Sequence, residues 1–91
     1  MRREIKEIEF SAHQTTGIHL HPGPVFGYIV EGTITFQIEG RPVTVLKAGD
    51  AFFEPANTRI IRFDNATGRR VKFIAYYLLG KKDHDLIKML E

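Results

Sequence analysis

The chain has 91 residues, a net charge of +2 and no cysteine, which excludes a disulfide frame and thiolate chemistry. Its basic residues cluster only as the pairs Arg2-Arg3, Arg69-Arg70 and Lys81-Lys82, too thin a pattern for a nucleic-acid stripe, so no nucleic-acid partner is expected. No apolar run is long enough to span a bilayer and no charged-then-apolar leader opens the sequence, so no membrane partner is expected and the cytoplasm is the expected location.

Taken in order, Ile8 and Phe10 alternate with charge as in a half-buried strand, while Ile5 is out of phase. A strand is therefore expected to begin near Lys6 or to carry a bulge, with a short helix as the competing reading. Ser11 to Thr16 is polar and turn-like. Residues 17–21 follow as a short strand carrying His19 and His21, and Pro22-Gly23-Pro24 marks a turn. Residues i and i+2 of a strand share a face about 6–7 Å apart, so both imidazoles can look at one point.

Val25 to Glu31 is an apolar run expected to be covered on both faces. Thr33 to Glu39 alternates cleanly, with Ile34, Phe36 and Ile38 on one side. Short strands are predicted over Val43–Leu46, Ala51–Glu54 and Arg59–Phe63, separated by turns at 47–50 and 55–58. Asn57 suits a left-handed position. Val71 to Leu79 is the longest β-rich run. In the tail, Leu86, Ile87 and Leu90 have helical spacing, with Asp83 placed to cap a short helix. About eight short strands with regular turns and no intervening helix argue for an antiparallel all-β sandwich or barrel, organised as a single domain over residues 1–91.

These residues resemble a small single-domain cupin, a double-stranded β-helix of the jelly-roll type, over roughly Glu7 to Leu79. The family's first motif has a glycine, His-x-His, a glutamate and a closing glycine. His19-Leu20-His21 and Gly32 match it, whereas His13 stands at the opening glycine and Val25 at the glutamate. In the second motif Gly49 and Pro55 match, Asn57 replaces a glycine, Ile60 replaces the histidine, and the closing Asn falls on Asp64 or, with a one-residue slip, on Asn65. Of the four metal ligands that the resemblance implies, His19 and His21 are retained, and Val25 and Ile60 offer no lone pair. Metal sites of catalytic type need three protein ligands, so His19 and His21 alone make an incomplete site. The expected cofactor is none, or a weakly bound divalent metal. The other donors that could complete it are His13, in the turn before the histidine strand, Glu54 and Gln37.

The resulting expectation is a barrel with a degenerate metal site that binds a small molecule in its lumen without catalysis, lined by His19, His21, Val25 and Ile60. Two alternatives stand beside it. One is a metal-dependent enzyme of dioxygenase or isomerase type that recruits a further ligand. The other is a structural or regulatory dimer. A homodimer is expected in any case, because so short a chain buries only about 60% of its unfolded surface.

Overall fold

A computed structural model of the chain describes residues 2–80 and 87–90. Nine strands are present among them: β1 Arg2–Phe10, β2 His19–Leu20, β3 Val25–Glu31, β4 Thr33–Ile38, β5 Thr44–Lys47, β6 Ala51–Glu54, β7 Ile60–Asp64, β8 Val71–Leu79 and β9 Lys88–Met89. They form two antiparallel sheets, ordered β1-β8-β3-β6 and β5-β4-β7-β2-β9. The all-β reading therefore holds. No helix among the described residues is long and apolar enough to cross a membrane.

Two expectations at the ends of the chain are corrected. β1 does not begin at Lys6 and has no bulge: it pairs with β8 without a shift from Arg2↔Leu79 to Phe10↔Val71. Ile5 is out of phase because it faces outward, 59% exposed. At the other end, residues 87–90 are not helical. Lys88 and Met89 pair with Leu20 and His19, and the Leu90 N–H donates to the Ile18 carbonyl at 2.9 Å. The open edge of β2 supplies backbone partners, and these override the helical spacing of the side chains. Asp83 and Leu86 lie outside the described residues.

β3 also differs from its expected form. Val25, Gly27 and Ile29 point inward, while Phe26, Tyr28 and Val30 are exposed, so among the described residues only one face is covered. Five of the seven phenylalanines, Phe10, Phe36, Phe52, Phe63 and Phe73, meet between the sheets. Their rings pack mostly edge-to-face, with centroids from 4.9 to 6.3 Å apart. Burial of each ring contributes about 2–3 kcal/mol relative to exposure.

Turn chemistry sets the strand ends. Gly32 and Gly49 adopt φ of 89° and 94°, and Asn57 takes 53°, the left-handed conformation expected of it. A Cβ on Gly32 would lie 2.8 Å from the Arg70 carbonyl oxygen, so backbone approach as well as φ requires glycine there. Asn65 is fully buried and ties the loops above the barrel together. Its amide donates to the carbonyls of Ser11 and Arg69, and its oxygen accepts from the Thr67 N–H and hydroxyl. Its own N–H donates to Gln14, and the Thr16 N–H donates to Asp64, so this knot anchors the segment leading into β2.

Substituting Asn65→Ala should lower the free energy of unfolding by about 2–3 kcal/mol, because several partners are left buried without hydrogen bonds. Urea denaturation monitored by far-ultraviolet circular dichroism measures this. A loss below about 0.5 kcal/mol would show that the knot does not hold the loops.

Candidate metal centre

The site is built from two short strands on opposite sheets. β2 carries His19 and runs on to His21, and β6 carries Glu54. All three side chains are buried, at 2%, 4% and 3% exposure, and their donor atoms lie within 4.8 Å of one another. His21 Nε2 is 2.8 Å from Glu54 Oε2, a hydrogen bond, and His19 Nε2 is 3.8 Å from Glu54 Oε1, a charge contact. The two imidazoles lie edge to face with centroids 5.1 Å apart.

A backbone contact orients the His19 imidazole. His19 Nδ1 is 2.8 Å from the Gly17 carbonyl oxygen. A carbonyl only accepts, so Nδ1 carries the proton and Nε2 is directed to the Glu54 side. This is the carbonyl–histidine arrangement that orients imidazole ligands in metal sites. At His21 the backbone carbonyl accepts from the Asn57 N–H at 2.7 Å, joining the histidine segment to the turn after β6.

Burial opposes the charge on His19 and on Glu54, yet for both of them the opposite partner outweighs it. The Glu54 carboxylate and the Gly17 carbonyl hold His19 above its ordinary value of 6.5. In turn, His19 and His21 hold Glu54 below its ordinary value of 4.5. The buried carboxylate is ionised and needs positive charge beside it. Beside the triad, the Tyr77 ring lies 5.6 Å from that of His21. Its hydroxyl is pushed up to about 12 by burial and by the Glu54 charge, so it remains a neutral donor at the cavity wall.

The three donors line a cavity of about 160 Å³. The rest of its wall is largely apolar, from the inner residues of β1, β6 and β8 together with Val25, Phe63 and Ile87. Ile87 thus joins the wall from the terminal segment that was expected to be a helix.

Of the sequence-predicted residues, His19, His21 and Val25 come together at the cavity. Ile60 does not contribute to its wall: it is fully buried in β7 as the register partner of His19. His13 is exposed in the first loop with φ of 58°, and Gln37 bonds the Arg41 carbonyl at the surface.

Of the further donors named from the sequence, Glu54 is the one that stands beside the two histidines. Val25↔Glu54 is a register pair between β3 and β6. Directly opposed residues have Cβ atoms about 5 Å apart, so a carboxylate missing from position 25 is supplied one strand over. The signal for it lies in the Ala51–Glu54 strand: residue 54 shares the parity of buried Phe52 and therefore points inward.

The chain matches the family model described as Cupin domain over residues 6–77. No curated protein matches it. Among solved structures, the DMSP lyase DddQ from Ruegeria pomeroyi DSS-3 is similar, with a TM-score of 0.82 and 18% identity over 97% of this chain and 43% of that one. An oxalate oxidase in complex with the substrate analogue glycolate gives a TM-score of 0.71 and 20% identity over 81% of this chain and 40% of that one. A cupin superfamily protein from Desulfitobacterium hafniense DCB-2 gives 0.77 and 16%, over 87% and 69%. This chain spans less than half the length of the two named enzymes, and at these identities the likeness is one of fold. The family match, which covers most of the sequence, identifies the chain as a member of the cupin domain family.

Proposed function

We propose that the protein binds a divalent transition metal through His19, His21 and Glu54 and receives a small ligand in the adjoining cavity. The observation that carries this reading is the ionised Glu54 carboxylate, buried between two imidazoles with their Nε2 atoms 2.8 and 3.8 Å away. Two donors held by one ion at about 2.1 Å lie roughly 3.0–3.4 Å apart, so these separations need only small side-chain adjustments. Two histidines and one carboxylate form a donor set used by zinc and non-haem iron sites that keep open positions. A bound divalent ion supplies Lewis-acid charge at those positions.

The chain's own residues select what enters. A dry cavity of about 150 Å³ accommodates a molecule the size of benzene, and the volume here, about 160 Å³, sets a similar limit. The apolar wall favours a compact hydrocarbon body. Tyr77 and Thr16 offer hydroxyls to an oxygen-bearing group. Glycolate in the similar oxalate oxidase is a ligand within this size range.

Calorimetric titration of tag-free, chelator-treated protein with Mn(II), Ni(II) or Zn(II) should give one saturable site. Glu54→Gln should weaken it by roughly 100-fold or more, since a ligand is lost rather than a supporting contact. Absence of saturable binding to the wild-type chain would overturn the proposal.

The metal-free protein should also respond to pH in a definite sense. The raised His19 contributes stability below its ordinary 6.5 and loses it as pH rises through its higher folded value. The lowered Glu54 contributes stability above its ordinary 4.5 and loses it as pH falls through its lower folded value. The thermal midpoint without metal should therefore peak at mildly acidic pH, between the two. With metal it should rise further toward neutrality, because the ion needs the imidazole nitrogens unprotonated. Thermal unfolding at stepped pH, with and without metal, measures both curves. A metal-free midpoint that climbs steadily past pH 8 would contradict the charge assignment.

A further inference from the structure

β5 and β6 end their respective sheets, and a groove opens between these two edge strands. Its volume is about 350 Å³, more than twice that of the metal-side cavity. Phe36, Leu46 and Phe52, all buried, make its floor, and the exposed Arg41 and Phe53 stand at its rim. The two cavities share Phe52 alone among their lining residues, so that ring is the partition between them. The groove is therefore a separate space, and no residue lining it is one of the three metal donors.

We propose that this groove is a second ligand site, for a carboxylate whose hydrocarbon body lies on Phe36, Leu46 and Phe52 and whose charge meets Arg41. The argument starts from the guanidinium. Arg41 makes no ion pair among the described residues. The acid nearest to it in sequence, Glu39, is taken by Arg59 at 3.3 Å. The turn that presents Arg41 is nevertheless fixed. Its N–H donates to the Ile38 carbonyl at 3.0 Å, its carbonyl accepts from Gln37 Nε2 at 3.1 Å, and Gly40 before it takes φ of 79°. A cation held at the rim of an apolar groove, with its own charge unanswered, is a receptor for an anion on an apolar body. One guanidinium balances one charge and its planar fork fits a carboxylate, which selects a monoanion. The groove also has polarity along its length. The turn joining β5 to β6 closes the end away from Arg41, and there the Asp50 carboxylate accepts the Lys47 N–H at 2.8 Å. The anionic head therefore belongs at the Arg41 end, with the hydrocarbon running toward Leu46. A cavity of about 150 Å³ accommodates benzene, so the larger volume here suits a longer chain or a second ring.

Nuclear magnetic resonance titration of the nitrogen-15-labelled, metal-free full chain with octanoate tests this. Saturable amide shifts should centre on residues 38–46 and 51–55 rather than on His19, His21 and Tyr77. 1-Octanol and octylammonium carry the same chain without the negative charge, and each should bind roughly 10-fold more weakly, the loss of one charge-assisted contact. Arg41→Glu should weaken octanoate by a similar factor and turn the preference toward octylammonium. The rest of the spectrum should stay as in the wild type, because Arg41 is exposed and its turn is held by backbone groups. No saturable shift at about 10 mM octanoate, the range of the weakest specific sites, would overturn the proposal. So would shifts centred on the metal-side cavity, equal affinity for the three probes, or an Arg41→Glu variant that keeps its octanoate affinity. Metal binding is titrated separately, so these outcomes leave that reading untouched.

Discussion

The interaction on which the site depends is the buried charge of Glu54. A carboxylate at 3% exposure is stable only with positive charge or donors around it. His21 supplies a 2.8 Å hydrogen bond and His19 a 3.8 Å charge contact; His19 is held above its ordinary proton affinity and Glu54 below its own. Truncating one member leaves the others buried and imperfectly paired, so the cluster stands or falls as a unit. A divalent cation at the same point serves the same electrostatic need, replacing shared protons with metal bonds.

The barrel separates this polar end from an apolar remainder. The phenylalanine cluster fills the space between the sheets, and four of the five strands bearing it also meet around the cavity. The segment bearing the histidines has little ladder of its own, since β2 is two residues long. It is held by tertiary bonds: the Asn65 knot before it, the Asn57 turn beside His21, and the terminal strand β9 along its edge. Placement of the donors therefore rests on the loops at the barrel mouth as much as on the sheets.

Much of the fold was legible in the sequence because strands declare themselves by alternation and turns by glycine, proline and asparagine. Ala51–Glu54 and Val71–Leu79 have the predicted limits, and Asn57 takes the expected left-handed conformation. The pocket's position was legible from His19-Leu20-His21. Which of the other candidate donors stands beside the histidines was not, because a motif read along one strand does not show register between strands. Val25 looked like a lost ligand until its partner across the ladder proved to be Glu54. Ile60 matched a ligand position by spacing, but is the buried register partner of His19 in β7 and does not line the cavity. The tail failed for a related reason: its helical spacing is local, whereas the free edge of β2 that captures Lys88 and Met89 is a product of the whole fold.

The central claim is that Glu54 supplies the third ligand to the two histidines. Anomalous diffraction from crystals grown with Mn(II) or Zn(II) tests it most directly. The account predicts one anomalous peak within about 2.0–2.3 Å of Nε2 of His19, Nε2 of His21 and a carboxylate oxygen of Glu54. A peak bound by the histidines with Glu54 turned away, or no peak in the cavity at saturating metal, would contradict it.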